Sequence, residues 1–108
     1  MTTFEQIVEM FETLAAEELT VWIECGWVRP DANDGDYRFS DTDVARVRLI
    51  WELQYELDIH RDTLPTVLSL LDQVYGLRHQ LRHLTAAVAA QSPAVREEIA
   101  RALETGQD

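Results

Sequence analysis

A chain of 108 residues with a formal net charge of −11 holds one domain's worth of core, small enough that a partner subunit would add to its stability. A hydrophobic content of 46% excludes wholesale disorder, and no stretch approaches the roughly 20 apolar residues of a membrane span. The one cysteine, Cys25, excludes an internal disulfide and a thiolate metal cage. Just before a helix-ending glycine, it reads as a small buried apolar residue. The charge is uneven: residues 1–43 carry a net of −9 and residues 44–108 a net of −2. Phosphate backbones repel such an acidic head, so its natural partner is a basic protein surface. Six glutamates and no basic residue precede Arg29, which argues against a signal peptide and for a soluble, cytoplasmic protein. Lysine is absent, and all nine basic residues are arginine.

Thr3-Phe4-Glu5-Gln6 has the form of a capping box, and Phe4, Ile7, Val8 and Phe11 recur at helical spacing, predicting a short helix to about Thr13. A second helix follows from about Ala16 to Cys25, with Leu19, Trp22 and Ile23 on its inner stripe and Gly26 in the left-handed cap position. Two short helices joined by a tight turn make a helix-turn-helix. Trp27-Val28-Arg29-Pro30 reads as an extended exit, because the residue before a proline is pushed out of the helical region. Asp31 to Asp36 reads as a turn or hairpin tip, and Tyr37 and Phe39 as a short returning strand. This is the outline of a wing, loaded with acid.

Ser40 is placed to cap a third helix, with Asp41 and Asp43 in its first turn. Its stripe runs Val44, Val47, Ile50 or Trp51, Leu53 or Gln54, and Leu57, after which Asp58-Ile59-His60-Arg61 breaks it. Asp62 can cap the long last helix, whose first turn tolerates Pro65. From there Val67, Leu70, Val74, Leu77, Leu81, Leu84 and Val88 alternate spacings of three and four, an a/d seam of about three heptads. The apolar face is broader up to Tyr75 and narrows to the seam beyond Leu77. A helix from Thr63 to Ala90 would be ~42 Å long at ~1.5 Å per residue, too long for so small a head to cover, so a homodimeric coiled coil is expected. Ser92-Pro93 starts one more helix, with Val95, Ile99, Ala102 and Leu103 as its stripe and Thr105-Gly106 as its end. The expected organisation is an acidic head over residues 1–62, a dimerisation helix over 63–91, and a short C-terminal helix and tail over 92–108.

Little here carries catalytic chemistry. His79 and His83 stand four apart, but no Cys or third His supports a metal site, and Arg78 and Arg82 flank them. Those arginines are better placed to pair with acids such as Asp72 or Glu97 across a dimer. His60, between Asp58 and Asp62, reads as a helix-end salt link rather than a general base, since no nucleophile accompanies it. No phosphate loop, nucleophile elbow or zinc motif is present. The expectation is a protein that is not an enzyme and uses neither metal nor cofactor. Trp22, Trp51, Tyr37 and Phe39 read as core, whereas Trp27 at the root of the wing is placed to anchor a partner, since aromatic residues ringed by charge make hot spots.

The acid-rich helix-turn-helix, "GWVRP", "YRFSDTDVARVRLI", a two-helix connection and a dimerising helix together resemble the MerR-type head joined to its coiled coil. MerR regulators carry an Arg-Tyr-Tyr stretch on the second helix and a basic wing; here that helix reads "ELTVWIECG", with Thr20 and Val21 where phosphate and base contacts are expected. The chain is more similar to the chaperone-modulator family CbpM. The matching residues are Glu17-Glu18-Leu19, Val28-Arg29-Pro30, Phe39-Ser40-Asp41, Glu56-Leu57-Asp58-Ile59 and Leu68-Ser69-Leu70-Leu71-Asp72, across about residues 4–88. The resemblance implies a mostly α fold: a MerR-like winged helix-turn-helix head with a short wing hairpin, a long dimerising coiled-coil helix and a short C-terminal helix. It also implies binding to the J-domain of a DnaJ-like co-chaperone of the CbpA type, and inhibition of that co-chaperone's work with the Hsp70 DnaK. An acidic competitor for the basic J-domain helix agrees with the charge reading. Residues 93–104 lie outside the resemblance. The expected docking surface is Glu17, Glu18, Glu24, Asp31, Asp34 and Asp36, with Trp27 as anchor. The competing expectation is a DNA reader whose phosphate contacts come from Arg29, Arg38, Arg46 and Arg48. A third is an effector-sensing dimer with Trp51 or Tyr75 lining a small-molecule pocket.

Overall fold

The structure is a computed structural model that describes residues 1–106. Among them the order is β1 (Thr2–Thr3), α1 (Phe4–Met10), α2 (Ala16–Glu24), β2 (Asp31–Asn33), β3 (Asp36–Phe39), α3 (Asp41–Trp51), a π-helical turn (Glu52–Glu56), α4 (Leu64–Ala89) and α5 (Pro93–Thr105). The fold is mostly α with a small antiparallel sheet of order β1-β3-β2, which is the architecture expected from the sequence. Two compact units divide the chain inside α4, one spanning Met1–Ser69 and the other beginning at Leu70.

The local signals act where they stand. Thr3 caps α1 by accepting from the Gln6 amide (3.2 Å) while the Gln6 side chain accepts from the Thr3 amide (2.9 Å). Ser40 and Asp43 repeat the device at α3, at 3.1 and 2.9 Å. Gly26 ends α2 with φ 77°: its amide donates to Ile23 O (3.0 Å) and that of Trp27 to Trp22 O (2.9 Å), the paired closure of a Schellman motif. Asp34 (φ 52°) and Gly35 (φ 82°) both take the left-handed region, the two-residue turn that matches the twist of a hairpin, and Asn33 pairs with Asp36 across it.

One core holds the first unit. Ile7, Phe11, Leu14, Leu19, Trp22, Val28, Phe39, Val47, Ile50, Leu53, Leu64 and Leu68 are buried, and no polar or charged residue among those described is. Leu64 and Leu68 seat the start of α4 in that core. At about 1.5–3 kcal/mol for each large apolar side chain, burial at these positions is the dominant favourable term in folding.

Several expectations need correction. Helix α1 stops at Met10, because Phe11 turns extended (φ −122°, ψ 104°) and its ring packs 5.7 Å from that of Trp51. The two residues before α1 form a strand: Thr2 pairs with Phe39 and Thr3 with Arg38. The hairpin's outgoing strand begins at Asp31, inside what reads as a loop. Cys25 is exposed, since it sits at the C-cap, beyond the inner stripe of Leu19 and Trp22. Helix α3 gives way to a π turn, in which the Leu57 amide reaches back five residues to Glu52 O (3.0 Å). The inserted residue rotates the end of the stripe, so Leu57 is 65% exposed rather than buried. Helix α4 opens on the carbonyl of His60, which accepts from the amides of Thr63 (2.9 Å) and Leu64 (3.1 Å), while His60 Nδ1 accepts from the Asp62 amide (3.1 Å) in place of the expected salt link to its carboxylate. The second unit contains α5, which Ser92 caps through the Val95 amide (3.4 Å) with Pro93 at its first position. The tail residues Gln107 and Asp108, placed with this segment from the sequence, lie outside the described residues.

Candidate functional site

The site is built by α2 and the hairpin that follows it. Glu17 and Glu24 lie seven residues apart on α2, two turns and about 10 Å at ~1.5 Å per residue, so they stand on nearly the same face. Both are exposed, with Thr20 exposed between them. Asp31, Asp34 and Asp36 are all exposed on the hairpin: Asp31 on the outgoing strand, Asp34 at the turn, Asp36 where the chain returns. Trp27 is partly exposed at the root of the hairpin, and its carbonyl accepts from Arg46 Nε at 2.9 Å. That bond ties the exit of α2 to α3 and fixes the direction in which the hairpin leaves.

Glu18 differs from its neighbours. One residue round the helix from Glu17, it is half-buried, and its carboxylate accepts from the Tyr55 hydroxyl (2.7 Å to each oxygen) and from Gln54 Nε2 (3.2 Å). Its charge is used to fasten α2 to the π turn. Burial, followed by the hydrogen bond and the negative charge of Glu18, pushes the Tyr55 hydroxyl up to about 12 from its ordinary 10.0. The tie was not legible in the sequence, where nothing marks Tyr55 as a partner for Glu18.

Of the arginines that a phosphate-binding role would require, Arg46 is partly buried, and Arg29, Arg38 and Arg48 are exposed. Besides Arg46, Arg29 Nε donates to Gly26 O at 3.3 Å, and the Arg48 guanidinium lies over the Phe11 ring at 5.3 Å from its centroid, a cation–π contact. Arg38 is exposed on the hairpin, and Asp31 stands directly across the strand ladder from it.

Between the start of α1, α2 and the hairpin lies a cleft of about 370 Å³ lined by Thr3, Phe4, Glu5, Thr20 and residues 35–38. The Phe4 and Tyr37 rings sit there with centroids 6.3 Å apart and planes tilted by 31°. Of these residues the sequence reading singled out only Asp36 for docking. The others escaped because a two-residue strand has no periodicity, yet it is β1 that brings Phe4 and Glu5 beside the hairpin.

The profile of the MerR HTH family regulatory proteins matches residues 3–86. The chain belongs to this family. Comparison with curated proteins and with solved structures returns no match. Within the MerR-type frame, α1 and α2 are the helix-turn-helix and β2–β3 is the wing, while α5 lies beyond the matched residues. The surface that a MerR-type reader would turn toward DNA is here the acidic one.

Tyr55 supplies a direct check on the Glu18 tie. A folded-state value above the unfolded one means that the stabilisation is fully present below pH 10 and is lost as pH rises through about 12. Tyr55→Phe should therefore remove an ionisation near pH 12 from the tyrosinate absorbance titration; removal of one near pH 10 would contradict the tie. In Glu18→Ala the value should fall only part of the way, because burial, the largest cause, persists.

Proposed function

We propose that this MerR-family chain is a non-enzymatic regulator that docks its acidic head on the basic helix of a J-domain, from a DnaJ-like co-chaperone of the CbpA type, and so keeps Hsp70 off it. The observation that carries the reading is the division of charge. Exposed carboxylates outnumber exposed arginines on α2 and the wing, and Arg29, Arg46 and Arg48 each contact a carbonyl or ring of the head itself. A surface of this sign attracts a basic helix and raises its association rate, and it repels a phosphate backbone. Glu17, Glu24, Asp31, Asp34 and Asp36 form the electrostatic surface, Glu18 supports it from behind, and Trp27 is the apolar anchor at the wing root. The resemblance to CbpM supplies the partner class. No helix among the described residues is long and apolar enough to cross a membrane.

The working unit in this proposal is a homodimer. Along α4, Leu70, Val74, Leu77, Leu81 and Leu84 are 57%, 41%, 65%, 62% and 62% exposed. With the half-buried Val67 and Val88 they complete the heptad seam. A single chain that leaves five large apolar residues in water along one stripe carries the pattern of half a coiled coil.

Two measurements test this. Replacing Glu17 and Glu24 by Lys should lower the rate of association with the J-domain about tenfold and flatten its dependence on salt. An unchanged rate and salt slope would move the site away from α2. Leu77→Glu should convert the dimer to monomer in sedimentation, with the helical circular dichroism of the head retained; a persistent dimer would remove the seam from the interface.

A further inference from the structure

Resting on the docking reading above, we infer that the cleft between the start of α1, α2 and the hairpin is a socket for one arginine or lysine side chain of the basic partner helix.

The walls have the chemistry such a side chain needs. Phe4 and Tyr37 are both only partly buried, so parts of their ring faces stay open to the cleft, and a ring face attracts a cation through its quadrupole. The tilt of 31° between rings 6.3 Å apart flares the pair. Glu5 and Asp36, both exposed, also line the cleft, one from α1 and one from β3. A cation entering between them meets two opposite charges as well as the rings, and its aliphatic stem can lie along the aromatic surface.

Two further wall residues define what fits. The Thr20 hydroxyl donates its proton to Ala16 O at 3.0 Å, which leaves the oxygen lone pairs to accept from an incoming N–H. Arg38 also lines the cleft, where Glu5 and Asp36 outnumber it by two carboxylates to one. At Gly35 a Cβ would meet nothing within 4 Å, so the chain at the turn does not crowd the cleft. A phosphate group is disfavoured by both carboxylates, and an apolar side chain would strip water from them without offering a partner. A cationic side chain meets the two rings, the two carboxylates and the Thr20 oxygen together. The socket lies beside Thr20, between Glu17 and Glu24 on α2, so a helix steered in by those acids would meet it at the centre of its footprint.

The test uses the 108-residue chain and the double variant Glu5→Gln/Asp36→Asn, both at exposed positions whose side chains make neither the capping bonds of Thr3 and Gln6 nor the core. Calorimetry with the J-domain should show the variant binding about tenfold more weakly than wild type, with unchanged circular dichroism. Equal affinity for the two would overturn the socket and take Asp36 out of the docking surface, leaving the docking reading to rest on Glu17, Glu24, Asp31 and Asp34. If wild type fails to bind the J-domain, N-acetyl-arginine amide becomes the deciding probe. Shifts of the Phe4 and Tyr37 ring resonances with it, and not with inorganic phosphate or N-acetyl-norleucine amide, would keep the socket while the docking reading falls. Shifts with phosphate or the norleucine compound, or none with the arginine compound, would overturn both.

Discussion

The angle at which the chain leaves α2 governs most of what this head can do. Gly26 takes a conformation open at little cost to glycine, and the Schellman closure passes the amide of Trp27 back to Trp22. Trp22 is fully buried, so the exit is anchored in the core. Arg46 then holds the carbonyl of Trp27 from α3. With that corner fixed, the Asp34–Gly35 turn sets the hairpin register, Phe39 enters the core, and the acids of the wing come to lie beside those of α2. An alanine at position 26 would have room for its Cβ, nearest Arg29 at 3.7 Å, but would hold a φ that side chains resist, at about 1 kcal/mol.

The same frame explains how a helix-turn-helix can serve a partner other than nucleic acid. Folding requires only that the inner stripes of α1, α2 and α3 be apolar, and it leaves the outer face of α2 and the wing free to carry either sign of charge. Here that face is acidic, and of the arginines near it Arg46 is partly buried against the Trp27 carbonyl, while Arg29 and Arg48 are exposed and each contacts a carbonyl or an aromatic ring of the head. Fold and function are therefore carried by different residues, as expected when one scaffold hosts several kinds of recognition. The long α4 adds a second separable element. Its first turns complete the head's core through Leu64 and Leu68, and its later turns present the seam.

Signals that depend on a few adjacent residues were legible in the sequence. Thr3, Ser40 and Ser92 cap helices where their hydroxyls precede apolar periodicity, Gly26 stops α2, and the heptad spacing marks α4. What the sequence hid depends on contacts distant along the chain. The π turn keeps helical spacing up to Leu53 and reveals its extra residue only by expelling Leu57. Strand β1 exists because β3 offers it an edge, and no pattern of two residues could announce that. Glu18 is chemically identical to Glu17, yet one position round the helix turns it toward Tyr55 and away from solvent. The acidic surface was legible as a total charge, but its division into free acids and a structural one was not.

The central claim is that this MerR-family surface recognises protein and not DNA. Calorimetry of the wild-type protein at low and high salt, against the J-domain of its own organism's CbpA-like co-chaperone and against a DNA duplex, tests it most directly. Binding to the J-domain at micromolar affinity or better, weakening as salt rises, with no heat from the duplex, is the predicted result. Binding to the duplex with no response to the J-domain at low salt would contradict it.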